Sequence, residues 1–121
     1  MTEIQNSKQY DLEQRTLEFA RKVRTFVKKL PRTIASIEDG KQVVRSSGSV
    51  GANYIEANES LSRKDFVMRI KICRKEAKET RYWLHLFDIT GNQSLESERE
   101  VLIQEITELM KIFGAILEKS K

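Results

Sequence analysis

Apolar residues recur along most of this chain at alternating steps of four and three positions, the spacing of an amphipathic helix. The clearest stretch runs from Ser62 to Phe87 and predicts one long helix. Its seam consists of Phe66, Ile70, Cys73, Ala77, Thr80, Leu84 and Phe87. Ser62 with Asp65 three residues later is typical of a capped helix start, so the helix is predicted to begin there.

A first helix is predicted from Asp11 to Leu30, because the same step recurs over that range. Pro31 ends it, since proline disfavours the α conformation in the residue before it. Its seam positions are Leu12, Thr16, Phe19, Val23, Phe26 and Leu30.

A second helix keeps the step through two glycines, Gly48 and Gly51. Each glycine costs about 1 kcal/mol relative to alanine inside a helix, but small residues there allow another helix backbone to approach closely. One continuous helix is the favoured interpretation, and a break near the glycines is the alternative. Its seam positions are Val43, Ser47, Val50, Tyr54, Ala57 and Leu61.

The last helix follows a turn signal at Gly91-Asn92 and is predicted to open at Ser97, with Glu100 completing a capping box. Its seam consists of Leu102, Ile106, Leu109, Phe113 and Ile116. Further apolar residues widen this face, namely Val101, Ile103, Met110 and Leu117.

Four amphipathic helices with short connections predict an all-α fold, an antiparallel up-down-up-down four-helix bundle. One proline and five glycines in 121 residues leave little room for a turn-rich β fold. We expect a flexible N-terminus over residues 1–9 and a single domain over residues 10–121.

The chain offers few residues for catalysis. Cys73 lies on a core seam and is the only cysteine, and His85 is the only histidine, so a metal site of usual ligand spacing is not expected. No nucleophile turn or phosphate-binding glycine loop is present. No apolar run approaches the roughly 18 residues of a membrane span, and the N-terminus does not have the order of a secretory signal. We therefore predict a cytoplasmic protein that is not an enzyme and needs no cofactor or metal.

Charge is distributed unevenly, although the net charge is only +4. The segments from Asp11 to Leu30 and from Ser62 to Phe87 are basic, whereas Leu95 to Glu118 is acidic. Two interpretations stay open: basic and acidic helices pair weakly along their edges, or the basic helices form a nucleic-acid surface.

The long third helix carries two further faces beside its seam. A basic stripe, defined as Lys71, Arg74, Lys75, Lys78 and Arg81, is a candidate for phosphate contacts. Its alternative is a solvated or inter-helix face, with the like-charge pairs relieved by glutamates of helix 2 or 4. A second apolar strip predicts an oligomer interface and consists of Met68, Ile72, Trp83 and Leu86, interrupted by Glu76 and Glu79.

Two aromatic residues and two acids near that strip have open roles. Tyr82 and Trp83 are either a base-stacking platform or, as we favour, interface packing with Trp83 as anchor. Glu76 and Glu79 are predicted from charge alone to pair with Arg45 or other basic residues across an interface.

The middle of the chain resembles a known bacterial family. The segments Ser49-Val50-Gly51-Ala52-Asn53, Ser62-Arg63-Lys64-Asp65-Phe66 and Lys75 to Leu84 (KEAKETRYWL) carry the resemblance. They are similar to four-helix bundle proteins encoded in intervening sequences of large-subunit ribosomal RNA genes, and to the accessory protein of diversity-generating retroelements. Helices 1 and 4 match by pattern only.

The resemblance implies an antiparallel four-helix protomer that assembles as a ring-shaped homo-oligomer, a homopentamer. For the retroelement members it also implies nucleic acid and a reverse transcriptase as partners; most other members have unknown function. The acidic fourth helix and the modest net charge depart from the retroelement pattern. The alternative functions are a protein-interaction scaffold and an accessory protein of a mobile element that binds no nucleic acid.

Overall fold

Four α-helices build the chain in this computed structural model. The structure describes residues 2–121, with side chains from Leu12 onward. The helices are α1 (Thr2–Lys28), α2 (Ile34–Asn58), α3 (Arg63–Leu86) and α4 (Gln93–Lys119). The flexible segment predicted for residues 1–9 falls outside the fully described residues and stays a prediction.

Each of the last three helices begins at a side chain that satisfies an otherwise unpaired backbone N–H. The side-chain oxygens of Thr33, Ser62 and Asn92 accept hydrogen bonds from the N–H three residues on, each at 3.1 Å. The start predicted for α3 at Ser62 is therefore confirmed. The start predicted for α4 at Ser97 is wrong, because Asn92 caps the helix.

The early start of α4 is stabilised from two directions. Gly91 adopts φ +87°, a left-handed conformation that suits glycine, and its N–H donates to Oε1 of Glu96 at 3.2 Å. Leu95, in the first turn, is buried in the core. Burial of this side chain favours a helix that begins before Ser97.

The α2 helix is continuous through Gly48 and Gly51, as predicted. The reason for tolerating glycine is clear at Gly51, where a Cβ would lie 2.8 Å from Oγ1 of Thr16 on α1. Real Cβ atoms are essentially never that close to another heavy atom. Close approach of α1, expected from the small residues, is therefore what this glycine permits.

The helices pack in chain order, and α1 closes the cycle against α4. Cross-helix contacts run antiparallel, because Asn53 bonds Arg69 whereas Arg45 bonds Glu79 farther along α3. Likewise Arg81 of α3 bonds Thr107, whereas the Leu84 carbonyl accepts from Arg99 earlier in α4. These contacts confirm the up-down-up-down bundle.

The predicted seams form the core. The α3 seam is buried from Ile70 to Phe87 and half-buried at Phe66. Two residues predicted to lie on apolar faces are exposed. Leu61 is fully exposed (100%), because α2 ends at Asn58 and the chain turns away. Val101 is also exposed and does not widen the apolar face of α4.

Basic and acidic residues pair along the contact between α1 and α4. Arg15 reaches Oε1 of Glu105 at 2.8 Å and Glu108 at 3.3 Å, and Lys29 reaches Glu98 at 3.1 Å. These contacts raise the pKa of Arg15, chiefly through its hydrogen bond to Glu105. For this pair of helices the charge asymmetry is explained by ion pairs, which is one of the two interpretations that the sequence left open.

A candidate nucleic-acid interface on α3

The basic stripe lies on the outward face of α3, away from the seam that packs into the core. Lys71, Arg74, Lys75 and Lys78 are exposed, and Arg81 is half-buried at the edge. Residues 71, 74 and 78 follow one another on successive turns, and at 1.5 Å per residue Lys71 and Lys78 lie about 10 Å apart along the axis. The sequence places them there because i, i+3 and i+7 share one side of a helix.

Three members of the stripe have no acidic partner in the fully described part of the chain. Lys71, Arg74 and Lys78 make no hydrogen bond or ion pair with any side chain there. Among these residues no glutamate of α2 or α4 pairs with them, so the stripe is a solvated face of the protomer without that relief. Like charges three or four residues apart are mildly destabilising. These three cations therefore repel one another, and an external anion would reduce that repulsion.

The other two members sit at the margins of the stripe. Nζ of Lys75 lies 3.9 Å from Oε2 of Glu76. Arg81 turns towards α4, where Nη1 donates to Oγ1 of Thr107 at 3.4 Å. The structure thus brings the five predicted residues to one face, and at its centre lie Lys71, Arg74 and Lys78, which have no acidic partner among the described side chains.

The predicted interface strip is divided by the structure. Met68 and Leu86 are exposed at 49% and 45%, near the two ends of α3. Ile72 and Trp83 are half-buried, and Trp83 packs against the core. The exposed ends of the strip are therefore open to a partner, whereas its middle is partly covered by the protomer itself.

Glu76 and Glu79 both pair with Arg45 of the same chain. Nη1 of Arg45 lies 3.4 Å from Oε1 of Glu76, and its Nη2 lies 3.4 Å from Oε1 of Glu79. Glu76 is only 6% exposed, and a buried carboxylate needs such partners. The sequence suggested this pairing across an interface; the geometry shows that it joins α2 to α3 inside the protomer.

Tyr82 and Trp83 differ in what they can offer. The Tyr82 ring is 59% exposed and meets Trp83 edge to face, with ring centroids 5.2 Å apart at 74°. Nε1 of Trp83 is buried and has no hydrogen-bond partner among the described residues. Of the two rings, only that of Tyr82 presents a broad surface next to the stripe.

A polar cluster between α2 and α3 consists of Asn53, Glu56 and Arg69. Oδ1 of Asn53 accepts from Arg69 at 3.0 Å, and its Nδ2 donates to the Ser49 carbonyl at 2.9 Å. Glu56 lies 3.9 Å from the same arginine. Arg69 differs from the three central stripe residues because its guanidinium group is engaged in these contacts.

Cys73 and His85 lie in different surroundings. Burial raises the pKa of the Cys73 thiol to about 12, so the thiolate nucleophile is suppressed. His85 is exposed at the end of α3. In the range with described side chains, no group of three or more His, Cys, Asp or Glu residues could hold a metal ion.

The comparisons with known proteins decide the family. A family model described as 23S rRNA-intervening sequence protein matches residues 8–115. The chain belongs to this family. Among solved structures, a protein of unknown function from the S23 ribosomal protein family of Bacteroides thetaiotaomicron is similar to it, with 32% sequence identity and a TM-score of 0.74. The similarity covers 92% of this chain and 98% of the Bacteroides protein.

Membership of the intervening sequence protein family agrees with the resemblance seen in the middle of the chain, and extends it to helices 1 and 4. A search of curated proteins finds no match. Over the described residues, no helix of this family member is long and apolar enough to cross a membrane.

Sequence reasoning missed one surface on the other side of the bundle. Leu17 of α1 and Ile55 of α2 are half-exposed apolar residues that lie on either side of a groove. The signal was present in the apolar residues outside the seams and the run of small residues from Ser46 to Ala52. We read that run only as a site for close helix approach.

Proposed function

We propose that this intervening sequence protein is a non-enzymatic homo-oligomer that binds nucleic acid through the basic stripe of α3. The observation that carries the proposal is that Lys71, Arg74 and Lys78 lie on one exposed face and have no ion pair with any side chain from Leu12 onward. The family description, which refers to an intervening sequence of 23S rRNA, makes RNA a sensible first ligand.

The stripe suits backbone phosphates and not a particular base sequence. Lysine and arginine side chains neutralise phosphates and release counterions, so binding is tolerant of sequence and sensitive to salt. We place the main contact on α3 because Arg15 of α1, and Lys29 just after the end of α1, are engaged by α4 glutamates. The remaining basic flank of α1 would add a secondary contact.

The oligomer is proposed to form through the apolar strip of α3. Met68 and Leu86 expose apolar surface that the protomer does not cover, and association removes such surface from water. The resemblance to the family supports a ring of five subunits. In such a ring the stripe would repeat around the assembly, and repeated weak sites raise avidity without new contacts.

The test is fluorescence anisotropy of labelled single-stranded RNA and duplex DNA at about 50 and 200 mM salt. The triple variant Lys71→Ala/Arg74→Ala/Lys78→Ala is expected to lose at least tenfold in affinity for both probes. Its salt slope should fall by about three, one for each phosphate contact.

A matched control removes the same charge elsewhere. Lys41→Ala/Lys111→Ala/Lys119→Ala changes three exposed lysines on α2 and α4. It should leave most of the affinity intact. Equal losses in both triple variants would show that net charge, and not the stripe, governs binding. No binding by the wild type at the lower salt would end the proposal.

A second candidate function is a protein-interaction scaffold, or an accessory protein of a mobile element with a protein partner such as a reverse transcriptase. The observation that favours it is the pairing of acidic and basic residues between helices, at Arg15–Glu105 and Arg45–Glu76. It predicts an oligomer that binds neither nucleic-acid probe.

A further inference from the structure

An apolar groove runs along the outer junction of α1 and α2, on a face separate from the stripe and the strip. Two depressions of about 470 and 360 Å³ follow one another along it. The first is lined by Leu17, Ala20, Ala52 and Ile55, and the second by Val27, Ile37, Gly40 and Val44. On α2 the lining extends from Ile37 to Ile55, about 27 Å at 1.5 Å per residue, the length of a five-turn helix.

The groove is recessed at its centre because the side chains along its floor are small. Gly48, Gly51 and Ala52 form it on the α2 side, with Ala20 opposite. The walls carry apolar side chains that the chain leaves open: Leu17 is 45% exposed and Ile55 is 51% exposed. Apolar walls over a floor of glycine and alanine fit the helix-in-groove mode, in which an amphipathic helix inserts its apolar face.

The rim of the groove is cationic over most of its length. Arg21, Arg24 and Lys28 line it from α1, and Lys41 lines it from α2. The segments 19–30 and 40–55 contain no aspartate or glutamate, and Glu13, an acid that lines the end of the first depression, accepts a hydrogen bond from Asn58. An occupant with acidic residues beside its apolar face would therefore match both the floor and the rim.

A second copy of this chain fits the groove less well. The acidic helix α4 has Val101 as its one large apolar residue with an exposed side chain, which would leave the walls of the groove unmatched. The apolar strip of α3 lies beside Lys71 and Lys75, which would meet the cationic rim. Phosphate backbone would match the rim but leave the apolar walls without a partner.

We infer that the α1–α2 groove binds an acidic amphipathic helix of a partner protein. The inference goes beyond the proposed function, since it uses none of the stripe residues and a different class of ligand. It assigns Arg21, Arg24 and Lys28 of α1, which the α1–α4 ion pairs do not use, to this ligand and not to the secondary nucleic-acid contact.

The test uses two designed 18-residue helical peptides that share one leucine face. One peptide carries glutamate beside that face, and the other carries lysine at the same positions. Each is labelled and titrated with the full-length protein, with fluorescence anisotropy as the readout at about 150 mM salt. The acidic peptide should bind at least tenfold more tightly than the basic one.

Two groove variants locate the binding. Leu17→Ser/Ile55→Ser removes exposed apolar walls, and Arg21→Glu/Arg24→Glu reverses the rim. Each should weaken the acidic peptide at least tenfold, with helicity by circular dichroism unchanged. The control Lys71→Glu/Lys78→Glu alters the stripe and should bind the peptide as the wild type does. The same control loses nucleic-acid binding if the proposed function holds, so the two failures are distinguishable.

Three results would overturn the inference. They are equal affinity for the two peptides, full retention of peptide binding in both groove variants, and a change of oligomer size in Leu17→Ser/Ile55→Ser by light scattering. The last result would assign the groove to a second copy. Displacement of the peptide by RNA from the wild type, but not from the stripe control, would indicate binding at the stripe and would also count against it.

Discussion

Gly51 of α2 faces Thr16 of α1 so closely that no side chain fits between them. A Cβ on Gly51 would lie 2.8 Å from Oγ1 and 3.1 Å from Cβ of Thr16. The threonine hydroxyl is held in place, because it donates to the carbonyls of Leu12 at 2.8 Å and Glu13 at 3.0 Å. The position of α1 against α2, and with it the floor of the groove, depends on this contact.

Gly51→Ala is therefore expected to destabilise the bundle, although alanine is the better helix former. Overpacking against a buried neighbour costs about 1–3 kcal/mol, which outweighs the gain of about 1 kcal/mol in helix propensity. Urea unfolding followed by circular dichroism measures the difference. Gly114→Ala is the matched control, since a Cβ there has no neighbour within 4 Å, and it should be neutral or stabilising. Equal stability of both variants and the wild type would mean that α1 shifts without cost.

Much of the fold was predictable because the apolar step survives in every helix. The step placed Ile70, Cys73 and Ala77 on a seam that the structure buries completely. Helix ends were harder. Asn92 and Ser97 are both good caps with a glutamate nearby, and burial of Leu95 decided between them. Leu61 fits the four-and-three spacing of α2 in the sequence, but it lies beyond the end of the helix.

The candidate site was predictable in position but not in partners. Spacing put Lys71, Arg74 and Lys78 on one flank of α3, and the structure keeps them together on the surface. Which cations are paired depends on the rotation of each helix about its axis, which no local pattern contains. For that reason the sequence could not separate Arg81, bonded to Thr107, from its unpaired neighbours.

Arg45→Met is expected to destabilise the protomer more than an exposed lysine change would. Glu76 is nearly buried, and loss of its arginine leaves a carboxylate with weaker compensation, at a cost of about 1–3 kcal/mol. Lys41→Met is the matched control, because its ion pair with Glu38 is exposed on both sides and contributes at most about 1 kcal/mol. In thermal unfolding Arg45→Met should show the larger loss. Adding Glu76→Met to it should recover part of that loss, and an additive double variant would show that the pair is not coupled.

Cys73 is expected to make stability fall in alkaline solution. Burial raises the pKa of its thiol from 9.0 to about 12, so the neutral thiol stabilises the fold fully below about pH 9. That contribution is lost as the pH rises from 9 towards 12, by up to about 1.4 kcal/mol per pH unit. Urea unfolding at pH 8 and pH 10 should show a drop for the wild type that is larger than the drop for Cys73→Ala. Parallel drops would mean that the thiol does not contribute.

The same burial predicts slow chemistry at Cys73. The side chain is fully buried and is mostly protonated at pH 8, so a maleimide or iodoacetamide reagent should react only when the helices open. Labelling in the native state should be at least a hundredfold slower than in urea. Labelling at the same rate in both conditions would show that α3 opens readily, which would contradict a fixed stripe.

The oligomer is best tested at the exposed ends of the α3 strip. Trp83→Glu would disturb the protomer, because Trp83 packs against the core and its Nε1 is buried. Met68→Glu/Leu86→Glu changes two half-exposed residues and should leave the helices folded, while placing charges in any apolar interface. If the strip is the interface, light scattering should show a smaller species than the wild type at micromolar concentration. Val101→Glu on α4 is the control, since it alters an apolar residue outside the strip that is somewhat more exposed than Met68 and Leu86, and it should keep the wild-type size. A wild type that is already monomeric would exclude the ring, and an unchanged oligomer in the strip variant would place the interface on another face.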